Sequence, residues 1–290
     1  MNDKQKAIFS ILIFSLLSGA MAAVTKVGLS QFPPLSFAFI RFFLASCIVA
    51  PFIWKKRTYL VKDLRTLGPL SLFATMNIIF FVVGIKLTTA NISQILYAAV
   101  PIIIGLLMHF VLGEKLSSRK AMGIGIGFIG VFLVLFLPIL EKGKSSGDFF
   151  GNLMLAAAVI AWSLYMVLSK KAQKTHSPFH IVSIFIIITA VTLFPFFLAE
   201  SAFQYGWWNK IGVQAFLSMF YVVVMGTICT YLLNQYSIKH GGIAFASMVF
   251  YLSPLFGFLV AFFLLGEQLT LWLGVGGALA LLGVYITTKK

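Results

Sequence analysis

The stretch PIIIGLLMHFVLGEKLSSRKAMGIGIGFIGV at residues 101–131 and its partner PLFGFLVAFFLLGEQLTLWLGVGGALALLGV at 254–284 decide the fold. A shift of 153 residues, with no gap, lays Pro101 on Pro254, Leu112-Gly113-Glu114 on Leu265-Gly266-Glu267, and Leu116 on Leu269. The same shift lays Gly123 on Gly276 and Gly130-Val131 on Gly283-Val284, and upstream it pairs Ile85-Lys86 with Ile238-Lys239. A shift of 144 carries the correspondence to the earlier parts, pairing Lys26 with Lys170, Pro34 with Pro178, and Pro51-Phe52 with Pro195-Phe196. Punctuating residues that recur in one order at one spacing mark a duplicated unit.

Apolar runs of membrane-spanning length fall at 7–26, 35–54, 67–86, 90–112, 121–140, 149–168, 178–198, 212–235, 242–265 and 269–287. Each is near the ~20 residues a helix needs to cross a ~30 Å hydrocarbon core. Helix is the expected state because lipid offers the backbone no hydrogen-bond partner. The composition agrees. Only 10% of the residues are charged and 31 are Phe, whereas a soluble chain needs about a quarter charged to cover its surface. The predicted fold is therefore an all-α integral membrane protein of ten transmembrane helices. Residues 7–140 form the first five-span repeat, 141–148 a linker loop, and 149–288 the second repeat.

Five is odd, so the second repeat enters the membrane from the opposite side. Inverted repeats of this kind are the architecture of alternating-access carriers, because two equivalent halves can exchange conformations and so open the centre to either face. The basic residues give the orientation. With the N-terminus inside, 16 of the 22 Lys and Arg fall on the cytoplasmic side, and only Lys86, Lys142, Lys144 and Lys210 lie on the other. This positive-inside bias places both termini in the cytoplasm and the chain in the cell (inner or plasma) membrane.

The net charge of +15 is thereby explained by topology and the lipid bilayer, and nucleic acid is excluded as a partner because no solvated basic face gathers these residues. Lys4 and Lys6 before the apolar run that ends in Ala22-Ala23 resemble a signal peptide. The segment has a counterpart in the second repeat, however, and is read as a retained span. Cys47 and Cys229 lie singly in apolar runs and are read as packing residues. The reading requires no metal and no cofactor.

The residues also resemble the drug/metabolite transporter superfamily, in particular its ten-span EamA-type members. Pro33-Pro34 followed by Arg41-Phe42-Phe43-Leu44-Ala45 is similar to that family's second-span pattern. The proline, Gly-Glu and glycine-rich sequence occurs twice, at Pro101 to Gly130 and Pro254 to Gly283, as in the family's two repeats. The resemblance covers essentially the whole chain. It implies a ten-helix basket around a central cavity lined largely by spans 3, 4, 8 and 9. It also implies transport of small solutes, often efflux of amino acids or other metabolites.

In span 4, Asn91, Gln94, Ala98, Pro101, Gly105 and His109 recur at helical spacing as a small or polar stripe that lipid would penalise. The repeat sets Ser247, Tyr251 and Pro254 of span 9 against Gln94, Ala98 and Pro101, and Thr230 of span 8 against Asn77 of span 3. Thr227, Tyr231 and Asn234 continue the span 8 face. The substrate-pathway candidates are Asn77, Asn91, Gln94, Tyr97, Trp162, Tyr165, Thr230, Asn234, Ser247 and Tyr251, with helix–helix hydrogen bonding as the alternative use of the polar ones. Pro101 and Pro254 free the carbonyls of Tyr97 and Phe250 and are hinge candidates.

Arg41, buried several residues inside span 2, is an anion contact with Lys26 assisting, or else a cap for backbone carbonyls. Glu114 and Glu267 occupy equivalent corners on opposite faces and are read as helix-terminus caps. The glycine faces of spans 5 and 10 serve internal packing or a homodimer.

The first functional reading is a secondary transporter of small polar metabolites, amino acids or analogues among them, with export ahead of import. A lipid or lipid-linked-sugar flippase is the alternative within transport. A non-transporting receptor and an intramembrane enzyme are the readings from other classes. The chain is read as no enzyme: it has no His-Glu-x-x-His, no Gly-x-Ser-x-Gly and no paired intramembrane aspartates.

Overall fold

The computed structural model describes residues 3–54, 61–112, 118–137 and 147–288. The basic loop at 55–60, the corner holding Glu114 and most of the linker lie outside the described residues. Helices α1 (Asp3–Leu29), α2 (Pro34–Trp54) and α3 (Val61–Leu87) form the first three spans. Span 4 is α4 (Ala90–Ala98) followed by α5 (Val100–Leu112), and span 5 is α6 (Ser118–Leu135). The second half opens with α7 (Phe149–Ala172) and α8 (Pro178–Phe203). Span 8 consists of α9 (Val213–Val223), a π-helical turn at Val224–Cys229, and α10 (Thr230–Gly241). Span 9 is α11 (Ile243–Ala246) with α12 (Val249–Leu265), and span 10 is α13 (Leu271–Thr288).

Seven of these units are long apolar helices and three are shorter apolar ones, Ala121–Leu135, Val249–Leu265 and Leu271–Gly283. About ten spans therefore cross the bilayer. Ten crossings return the chain to the side on which it began. The end of the bundle at which α1 begins and α13 finishes is here the near end, and the opposite one the far end.

The helices start where local chemistry satisfies their first N–H groups. Pro34 and its repeat equivalent Pro178 open α2 and α8, where a missing N–H costs nothing. Thr89, Asp148 and Ser177 cap α4, α7 and α8 with side-chain oxygens. Glu200, at the end of α8, reaches back to the N–H groups of Leu35 at 3.3 Å and Ser36 at 2.6 Å. The second repeat thus caps a helix of the first.

The packing has the symmetry an inverted duplication demands. Span 5 lies on span 10 and span 2 on span 7, each pair mapping onto itself, while the contact of span 3 with span 6 is matched by that of span 8 with span 1. At the span 5–span 10 crossing the backbones nearly touch. A Cβ on Gly130 would collide with the backbone of Gly276 and Ala280, and one on Gly283 with that of Gly127 and Gly123. These small-residue faces are used inside the chain. Large apolar side chains such as Phe52, Phe110, Val191 and Phe263 point outward, which suits a lipid surround.

Two features differ from a simple reading of the spans. Span 4 breaks at Ala99, whose N–H turns to Leu96 O at 3.1 Å. Pro101 therefore sits in the first turn of α5 rather than in mid-helix. Span 9 breaks earlier, at Ser247–Met248, and leaves Pro254 inside α12. The two prolines are equivalent in sequence but not in local structure, because each helix resumes at a different distance before its proline.

Candidate functional site

Where the broken spans meet the continuous ones, a central cavity of about 110 Å³ opens. Its polar wall is built from several spans. Ser18 of α1 meets Ser253 of α12, Oγ to Oγ, at 2.7 Å. Gln94 of α4 donates to Gly19 O of α1 at 2.7 Å. Asn77 of α3 donates to Tyr97 Oη at 2.6 Å and to Ala158 O of α7 at 2.8 Å. Phe14, Phe81, Trp162, Tyr231 and Phe250 supply the aromatic surface.

Arg41 enters this wall from α2 and is 1% exposed. The π turn receives it. Shifting the backbone register frees acceptors that a regular helix would use, and such turns often mark sites where a side chain must be held. Arg41 Nε donates to Thr227 Oγ1 at 2.6 Å, and one terminal nitrogen donates to Gly226 O at 2.9 Å and to Tyr231 Oη at 3.5 Å. The guanidinium carbon lies 5.0 Å from the centre of the Phe42 ring and 5.9 Å from that of Tyr231. A guanidinium carries five N–H donors, and these bonds leave its other terminal nitrogen without an acceptor among the described residues. No carboxylate pairs with it there. The indole Nε1 of Trp162, in the same wall, likewise has no acceptor among them.

The sequence candidates separate into two groups. Asn77, Gln94, Tyr97, Trp162, Thr230 and Arg41 line the cavity. The symmetry-related pair Asn77 and Thr230 therefore does come together. Six others are placed elsewhere. Tyr165 lies behind Trp162, fully buried, and its hydroxyl accepts from Gln235 at 2.9 Å. Asn91 sits under a carboxylate cap at the start of α4. Asn234 is buried away from the cavity, with no partner for its amide among the described residues. Ser247 is buried at the break in span 9, and Tyr251 packs on the small apolar cluster of Ala99, Ile102 and Ile124. The cavity face of α4 is Ser93, Gln94 and Tyr97, rotated from the stripe through Asn91 and Ala98, because the break at Ala99 releases α4 from the phase of α5.

Lys26 is the sixth. It does not assist Arg41: its Nζ donates to Thr88 O and pairs with Glu267 Oε1 at 3.1 Å at the far end. The Glu267 carboxylate also accepts the N–H groups of Ala90 and Asn91, both at 2.9 Å. It caps a helix, as its position in the repeat suggests, but that helix is α4 rather than the one following it. At the near end Lys170, the repeat equivalent of Lys26, donates to Ile238 O at 3.3 Å. Ser18, Ser93 and Ser253 were not singled out in the sequence, since isolated serines in apolar spans carry no pattern.

The two-unit organisation of the chain is matched among known proteins. The profile of the EamA-like transporter family matches residues 5–136 and again residues 149–289. The chain belongs to the EamA-like transporter family. It is 26% identical over 294 residues to an "Uncharacterized transporter" of Archaeoglobus fulgidus, covering 100% of this chain and 99% of that one. Against the Escherichia coli protein named "Probable amino-acid metabolite efflux pump", identity is 27%, covering 98% of this chain and 95% of the relative. A solved crystal structure of a protein with 18% sequence identity superposes with a TM-score of 0.64 over 98% of this chain and 96% of that one. That likeness concerns the fold. This EamA-like chain is accordingly a multi-pass membrane transporter.

Proposed function

We propose that this chain is a secondary carrier of small polar metabolites that bear a carboxylate, amino acids or their analogues, exchanging access between its inverted repeats. The observation that carries the reading is the buried Arg41 guanidinium on the cavity wall, with unused N–H donors and no acidic partner among the described residues. A cation removed from water at that depth is costly, and a ligand carboxylate supplies the missing countercharge while matching the planar fork. The Trp162 indole N–H adds a second donor, and the aromatic wall accepts the apolar part of the solute. Export is favoured over import, in keeping with the name of the Escherichia coli relative. The cavity chemistry calls on hydrogen bonds and charge, with no bond-making step, so the chain is read as a carrier and not an enzyme.

Counterflow in proteoliposomes tests this reading. Preloaded amino acids with a free carboxylate are expected to exchange well above protein-free vesicles, and their carboxamide analogues at least tenfold more slowly. Equal exchange of acid and amide, or no exchange across a panel of amino acids, would reject it.

The near end is taken to face the cytoplasm, because the basic residues of the sequence gather there. Reporters fused after residue 290 and in the 55–66 loop should read cytoplasmic, and one in the 141–150 loop external. A cytoplasmic reading of the 141–150 loop would undo the inverted arrangement on which alternating access rests.

A further inference from the structure

Outside the cavity, at the near end, three side chains from two repeats converge. Asp63 lies in the first turn of α3, His176 in the turn after α7, and His180 in the first turn of α8. His176 Nε2 is 3.0 Å from Asp63 Oδ1, and His180 Nε2 is 3.4 Å from Asp63 Oδ2. The candidate ligand atoms of all three lie within 4.8 Å of one another.

Bonds of ~2.0–2.1 Å at tetrahedral angles separate ligand atoms by ~3.3 Å. The two ring nitrogens approach different oxygens of the Asp63 carboxylate at 3.0 and 3.4 Å, each close to that spacing, and a small rotation of the carboxylate would let one ion take both nitrogens and one oxygen. The side chains are 11–19% exposed, enough to admit an ion and little enough to hold it. The local sequence His176-Ser177-Pro178-Phe179-His180 has the three-residue spacer common to histidine ligand pairs. Ser177 and Pro178 fix the start of α8 and thereby the direction of His180.

The hydrogen bonds orient His176 for this role. Its Nδ1 lies 2.8 Å from Thr175 Oγ1 and 3.3 Å from Ala172 O, which hold the ring with Nε2 turned toward Asp63. A metal ion between Nε2 and the carboxylate would take the Nε2 lone pair while Nδ1–H is donated to the hydroxyl or the carbonyl, the kind of second hydrogen bond that orients a ligating histidine. The rings of His176 and His180 lie nearly parallel, with 5.4 Å between centroids.

We propose that Asp63, His176 and His180 form a binding site for a divalent transition-metal ion of the Zn²⁺ class, which ties the start of span 3 in the first repeat to the start of span 7 in the second. Three protein ligands leave one position for water. The site is independent of the carrier reading, since none of its residues lines the cavity.

The test uses the full chain, purified in detergent without a histidine tag, stripped with EDTA and titrated with Zn²⁺ against a chromogenic chelator. One ion per chain is expected to bind at least tenfold more tightly than to Asp63→Asn, His176→Gln or His180→Gln, and to raise the melting temperature of the wild type but not of these variants. Because a variant could misfold, Co²⁺ is added to the wild type alone, where a stoichiometric tetrahedral absorption band is expected. No such band, or Zn²⁺ binding that is equal in wild type and all three variants, would overturn the proposal.

Discussion

Arg41→Lys is expected to lower transport of carboxylate-bearing substrates by about 100-fold, equivalent to ~2.7 kcal/mol, while leaving the protein in the membrane at a comparable level. The substitution keeps the positive charge. What it removes is the fork that lets Arg41 hold Thr227 Oγ1 and Gly226 O and still present a second terminal nitrogen to the cavity. A lysine ammonium has three donors on one point; satisfying the carbonyl and hydroxyl of the π turn draws it away from the solute.

Hydrogen bonds to charged groups contribute ~1.5–3 kcal/mol each, so loss of a paired contact gives a factor of this size. The discriminating measurement is the ratio of acid to carboxamide exchange. In the wild type the acid is preferred; in Arg41→Lys the preference should collapse toward unity, because the amide never used the charge. If the variant transports both more slowly but keeps the wild-type ratio, Arg41 acts only on the π turn and the anion contact lies elsewhere.

Much of this architecture is legible in the sequence because membrane insertion leaves few choices. Apolar spans long enough to cross the bilayer follow from lipid as solvent, glycine marks where backbones cross and proline where helices start, and duplication makes many of these signals appear twice. Asn77 and Thr230 can be paired from the repeat alone, since equivalent positions in inverted halves approach the same axis. The signal weakens wherever helix phase is lost. Nothing around Ala99 or Ser247 announces a break, and a small phase change removed Asn91 and Tyr251 from the cavity while admitting Ser93.

The π turn is similarly silent, because Val224-Met225-Gly226-Thr227 reads as ordinary helix; only its partnership with Arg41 explains it. Long-range groups are harder still. Asp63 lies 113 residues from His176, and Glu200 caps α2 from 164 residues away. No local pattern could have joined either pair. Lys26 was misread for the opposite reason: a basic residue near Arg41 in depth suggested shared work, but its angular position on α1 directs it to Glu267.

The Lys26–Glu267 contact leads to a second large effect. Glu267→Gln should increase labelling of a cavity thiol, such as Ser93→Cys, by an impermeant far-side reagent at least fivefold, and should slow counterflow by about tenfold. The clamp joins three elements: α1 through Lys26, the corner after α12 through Glu267, and the N-terminus of α4 through Ala90 and Asn91. Two of them belong to the first repeat and one to the second, so the contact must part if the halves are to open the cavity toward the far end. At Glu267 the side chain is 11% exposed, and a carboxylate on a helix N-terminus in a partly buried setting contributes up to ~2 kcal/mol. Losing it shifts the equilibrium between access states by that order, which is a factor of tens in population.

The decisive variant is the charge swap. An ordinary surface ion pair tolerates reversal, so Lys26→Glu combined with Glu267→Lys would restore it. Here the swapped lysine at 267 would face two N–H donors and the positive end of the α4 dipole. The double variant should therefore label as readily as Glu267→Gln or more so. Rescue of wild-type labelling by the swap would reduce the clamp to a simple salt bridge, and wild-type labelling in Glu267→Gln itself would remove it as a gate.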